Sequence, residues 1–107
     1  MILKLTIDDQ TYDIDVPADI MEEAGEFYAK MDQDMDKGWQ MSRSWVDELD
    51  ARQRCQVAAD RLLTAIENEN EAMTMLMAGY ILKTMPGIQS IYISVDGDMS
   101  QTEIVGR

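Results

Sequence analysis

Residues 31–42 read MDQDMDKGWQMS, with aspartates at positions 32, 34 and 36 followed by Lys37, Gly38 and Trp39. Carboxylates at alternate positions are the donor type of a helix–loop–helix calcium site. Such a loop places oxygen ligands at positions 1, 3, 5, 7, 9 and 12, with glycine at 6 and a bidentate glutamate at 12. Counting from Asp32 puts Asp34 and Asp36 at 3 and 5, but Lys37 at 6, Gly38 one residue late and Arg43 at 12. Counting from Asp34 puts Gly38 at 5 and Trp45 at 12. Neither register supplies the closing carboxylate, so Asp32, Asp34 and Asp36 stand as an alternative cation site and not as the leading reading.

A helix accounts for the stretch better. Met31, Met35 and Trp39 are successive i,i+4 positions on the face that Phe27 begins. Three carboxylates near a helix C-terminus meet its negative end, at ~0.3–1 kcal/mol each when exposed. Lys37 offsets part of that, and Gly38 is a natural stop. Residues 31–38 are therefore read as the acidic end of a first helix, and residues 38–44 as its connection to a second.

That connection is the leading candidate for function. It brings Trp39, Met41, Arg43 and Trp45 within seven residues, and tryptophan and arginine are enriched among residues that dominate binding energy. Glu22, Glu23 and Glu26 of the acidic first helix complete the expected partner-binding set. The competing reading is that both tryptophans pin the helix junction to the core. The ten methionines, including Met73, Met75, Met77 and Met85, divide in the same way between gap-filling and an adaptable binding surface.

Nothing points to catalysis. The chain has no histidine, the commonest general base and metal ligand. Its single cysteine, Cys55, falls on an apolar helical stripe with Ala59 and Leu62, the setting of an inert thiol. No phosphate loop, nucleophile elbow or zinc signature occurs, and no cofactor is expected.

The charge is uneven. Residues 1–50 carry 14 acidic and 4 basic side chains, whereas residues 51–107 carry 7 and 5. Such a chain is repelled by nucleic-acid backbones and anionic lipid, so direct binding to either is disfavoured. Acidity serves solubility; it also suits a basic or amphipathic protein partner, or, as a further alternative, an acidic decoy of nucleic acid. No apolar run approaches the ~18 residues of a membrane span, and the start lacks a signal peptide's pattern. A cytoplasmic protein is expected.

The elements that must position these residues follow from periodicity. Leu3, Leu5 and Ile7 alternate with polar residues, as do Tyr12, Ile14 and Val16, giving an N-terminal hairpin with an acidic outer face. Residues 1–16 resemble the opening hairpin of plant-type ferredoxin domains; the resemblance ends there, because the cysteine ligands that should follow are absent. Pro17 suits the first turn of the first helix, and Ile20, Ala24, Phe27, Met31 and Met35 form its buried stripe. Ser44 followed by Asp47 resembles a capping box for the second helix, with Glu48/Arg52 and Asp50/Arg54 as i,i+4 pairs.

One helix over residues 45–85 would be ~60 Å long, so a break near Asn68–Asn70 is expected, with an asparagine capping the next helix. That helix, AMTMLMAGYILKTM, is apolar on nearly every side, which argues for a homodimer joined through its apolar helices. Pro86-Gly87 ends it, and a second hairpin follows with Asp96-Gly97 as its turn. The expected fold is α+β in the order ββαααββ, its N- and C-terminal hairpins joined in one antiparallel sheet beneath two or three helices. Residues 1–105 are read as one domain, and Gly106 and Arg107 as a remnant beyond it.

Overall fold

The computed structural model describes residues 1–41, 43–96 and 98–106. Alternation at the N-terminus produces β1 (Ile2–Ile7) and β2 (Gln10–Asp15), paired antiparallel with Leu3 opposite Ile14 and Leu5 opposite Tyr12. Two helices follow, α1 (Ala18–Glu23) and α2 (Gly25–Asp36), then a short hairpin of β3 (Trp39–Met41) and β4 (Ser44–Val46). Helices α3 (Ala51–Glu67) and α4 (Glu71–Thr84) pack on each other, and β5 (Ile88–Ile93) and β6 (Glu103–Gly106) close the chain. The class is α+β, with four α-helices, a four-stranded mixed sheet and a separate two-stranded sheet among the described residues.

The main sheet runs β2-β1-β5-β6. Its centre corrects the expected all-antiparallel arrangement, because β1 and β5 are parallel, with Leu5 opposite Ile91. The chain leaves β2 beside Met1 and re-enters the sheet at Ile88 near the same end, so β5 must run with β1. The most apolar strands take the middle: Leu3, Leu5, Ile91 and Ile93 are buried, while the aspartates of β2 and Glu103 of β6 lie on the edges. On the face away from the helices, Ile2, Tyr92 and Val105 are exposed.

The first helix is broken. Ala24 leaves helical geometry (φ −85°, ψ 7°), and the junction is bridged by Tyr28 N–H donating to Ala24 O at 2.9 Å. The break turns the stripe by one residue: Tyr28 is fully buried, and Phe27, expected inside, lies exposed. Tyr28 meets Tyr80 edge-on at 5.8 Å. Its hydroxyl is packed against Gly79, where a Cβ would fall 2.3 Å from the oxygen.

The cap of α3 is Asp50, not Ser44. Asp50 Oδ1 accepts from Gln53 N–H at 2.8 Å and Gln53 Oε1 accepts from Asp50 N–H at 3.1 Å, a complete capping box. Ser44 is instead paired across the small hairpin with Met41. The expected break between α3 and α4 is present. Asn70 N–H bonds to Ala65 O (2.8 Å) and Glu69 N–H to Ile66 O (3.1 Å), the pattern of a Schellman end, and Asn70 Oδ1 caps α4 through Met73 N–H. Glu69 holds the left-handed position (φ 56°) that glycine usually fills.

The apolar residues of α4 that suggested a dimer, Met77 to Leu82, are buried within one chain by packing that includes α3, α1 and β2. β5 and β6 pair antiparallel, with Ile91 opposite Ile104. Gly97 of the expected turn lies outside the described residues; the connection is tied down by the buried Gln56, whose Nε2 donates to Thr102 O at 3.0 Å. Gly106 belongs to β6, opposite Ile88, at φ 126° and so close that a Cβ would meet Gln89 N at 2.6 Å. Arg107 lies outside the described residues.

Candidate interaction surface

The aspartate cluster on α2 is met by a cation from the protein itself. Arg54, in the first turns of α3, reaches Asp32 Oδ1 (3.0 Å) and Asp32 O (3.2 Å) through Nη1, Asp36 Oδ1 (2.5 Å) through Nη2, and Leu49 O (3.2 Å) through Nε. Sequence spacing had matched Arg54 with Asp50, but Asp50 is spent on the cap. Tyr80 of α4 donates to the same Asp32 oxygen at 2.6 Å. One carboxylate thus ties together α2, α3 and α4. The pair with Asp36, which is largely exposed, adds little by comparison.

The electrostatics follow from burial. The Tyr80 hydroxyl is pushed well above its usual value by burial and then by the Asp32 carboxylate it bonds. Burial first, and Asp32 second, raise the Cys55 thiol to about 12, so this thiol is protonated and unreactive at neutral pH. Hydrogen bonding to Asp36 raises Arg54 against the opposing effect of burial. Asp34 lies elsewhere, beside Trp39 and Arg61. Among the described residues no group of three or more His, Cys, Asp or Glu side chains is placed to hold a metal ion.

The connection expected between the helices is a β-hairpin, and it separates the two tryptophans. Trp39 sits opposite Val46, and Trp45 opposite Gln40, so neighbouring positions put the indoles on opposite faces. Trp39 is half-buried against Met31, Met35 and Val57, with the Arg61 guanidinium 5.3 Å from its ring centre. Met41 is buried. These two residues serve packing.

Trp45 does not. It is 57% exposed, yet it is held on both sides. Its Nε1–H donates to Asp47 Oδ1 at 2.8 Å, and its ring lies over Gly38, where a Cβ would fall 2.6 Å from the indole. Gly38 (φ 97°) supplies both the stop of α2 and the platform for the ring. Arg43 is exposed in the hairpin turn.

Glu22 and Glu23 on α1 and Glu26 in the first turn of α2 are all exposed. Helix α1 packs on α4, whereas the hairpin packs through Trp39 on α2 and α3.

Sequence reading missed a second surface. An open groove of about 770 Å³ runs along β2, between that strand and the α3–α4 turn. Ile14, Ile66 and Met75 line it, and Asp13, Asp15, Glu69 and Glu71 border it. A helix break at Asn68–Asn70 is legible in the sequence; that Glu69 and Glu71 border the same groove as Asp13 and Asp15 needs the tertiary fold.

The chain matches no family model, no curated protein and no solved structure.

Proposed function

We propose that this chain is a small, non-catalytic interaction module of the cytoplasm that binds a basic, amphipathic segment of another protein, with Trp45 as its anchor. The observation that carries this reading is a large aromatic side chain that is exposed while its Nε1–H is bonded to Asp47 and its ring lies over Gly38. An aromatic fixed before binding loses little conformational freedom when it is covered, so more of its buried area becomes affinity. The acids nearest in sequence, Asp47, Glu48 and Asp50, are exposed, which favours a cationic partner and speeds encounter at low salt. The burial of α4 within one chain leaves self-association through that helix with less support. The cation reading also has less support, since an ion at Asp32 and Asp36 would have to displace Arg54.

The test uses Trp45 as its own reporter. The chain has two tryptophans, so Trp39→Phe leaves Trp45 alone to fluoresce. Titration with an amphipathic lysine–leucine peptide of helical period should give a saturable blue shift that weakens with salt. Unchanged emission up to about 1 mM peptide, an affinity weaker than about −4 kcal/mol, would exclude the reading for such ligands.

A further inference from the structure

We infer that the groove along β2 is a docking track for an extended segment of a partner protein with alternating basic and apolar residues, which adds to the main sheet as a fifth strand. The inference rests on the proposed reading of the chain as a binder of basic, amphipathic segments, but not on Trp45. Among the described residues β2 is an edge strand, paired only with β1. Met1 and Val16 exchange both backbone hydrogen bonds, N–H to O at 3.0 and 2.7 Å. In an antiparallel ladder the direction then alternates, so Ile14 and Tyr12 bond inward to β1 while the N–H and C=O groups of Asp15, Asp13 and Thr11 point outward. Among the described residues these outward groups have no hydrogen-bond partner.

The groove supplies what an added strand needs on both of its faces. Side chains turned toward the helices would meet Ile14, Ile66 and Met75; those turned the other way would meet Asp13 and Asp15. Glu69 and Glu71 close the far side, and among the described residues no ion pair engages either. Among the described residues Asp15 pairs only with the N-terminal amine, at 3.7 Å with both groups exposed. Charge selects the occupant. A second copy pairing edge to edge would bring Asp13 and Asp15 against their equivalents, a like-charge arrangement that disfavours such pairing. A strand with lysine or arginine at alternate positions is attracted by the same residues, and main-chain hydrogen bonds to the free edge hold it in register.

Calorimetric titration of the whole chain with an N-acetylated, C-amidated octapeptide of alternating lysine and valine tests this, beside an isomer carrying the same residues in two blocks. The alternating peptide should bind at least ~10-fold more tightly than the isomer. Glu69→Lys/Glu71→Lys should weaken it by at least ~10-fold at low salt, and Asp13→Pro should do likewise, because the Asp13 N–H points away from β1. Amide exchange at Asp13 and Asp15 should slow in the complex. Equal binding of the two isomers without amide protection would overturn the inference. So would binding that Trp45→Ala removes and Glu69→Lys/Glu71→Lys does not, an outcome that upholds the Trp45 reading. Absence of binding by the alternating peptide would overturn the groove alone, since the Trp45 titration uses a helical ligand.

Discussion

The Tyr80 hydroxyl donates a 2.6 Å hydrogen bond to Asp32 Oδ1, the oxygen that Arg54 also holds. Asp32 is thereby a structural residue, although its spacing from Asp34 and Asp36 is that of a ligand. Asp32→Ala should cost about 1–2 kcal/mol, a figure kept low because the carboxylate is partly solvated. Asp34→Ala should stay within about 0.5 kcal/mol of wild type. Urea unfolding of the two variants checks the difference. Millimolar calcium should leave the wild-type Tm in place, and a rise would mean that an ion competes with Arg54.

Tyr28 and Gly79 form a pair that can be tested by a double-mutant cycle. A Cβ at position 79 would fall on the Tyr28 hydroxyl, so Gly79→Ala should cost about 1–3 kcal/mol. That hydroxyl is buried without a hydrogen-bond partner among the described residues, so Tyr28→Phe should be neutral or stabilising. The two changes together should recover much of the loss, and strict additivity in chemical denaturation would contradict the contact.

Glu69 occupies a left-handed position at the end of α3. Glu69→Gly should raise stability by about 0.5–1 kcal/mol by relieving its backbone. Asn70→Ala, which removes the cap of α4, should lower it by about 1 kcal/mol. Thermal melts of both variants give the signs.

Cys55 should be silent to a thiol reagent at pH 8 in the folded protein and react on unfolding. Its folded pKa, about 12, lies above the usual 9.0, so the folded state holds its proton longer as pH rises. The associated stability is complete below about pH 9 and is lost as pH climbs toward 12. Cys55→Ala should flatten the fall of stability across that window; an unchanged slope would assign the effect elsewhere.

Much of the fold was legible where a pattern is local and long. Leu3, Leu5 and Ile7 against Tyr12 and Ile14 specify a hairpin, and Asn68–Asn70 interrupts helical periodicity that would otherwise outrun the domain. Short or distant signals misled. Three-residue strands at Trp39–Met41 and Ser44–Val46 are too brief to alternate visibly, and Ser44 with Asp47 imitates a cap that Asp50 and Gln53 provide six residues later. Arg54 had an acid at the right helical spacing, yet its partners lie 18 and 22 residues away. Strand direction between β1 and β5 depends on where the intervening helices return the chain. The pleat puts the two tryptophans on opposite faces, turning Trp39 toward the core and leaving Trp45 outside. The β2 groove exists only once the α3–α4 turn stands beside that strand.

The central claim is that Trp45 is a binding residue and not a core residue. The most direct measurement is capture from native host lysate by immobilised wild type and Trp45→Ala at low and moderate salt, with Tm recorded for both. The account predicts a basic, amphipathic protein retained by wild type and lost by the variant, with the two Tm values within about 3 °C. Unfolding of Trp45→Ala, or equal retention by both proteins, would contradict it.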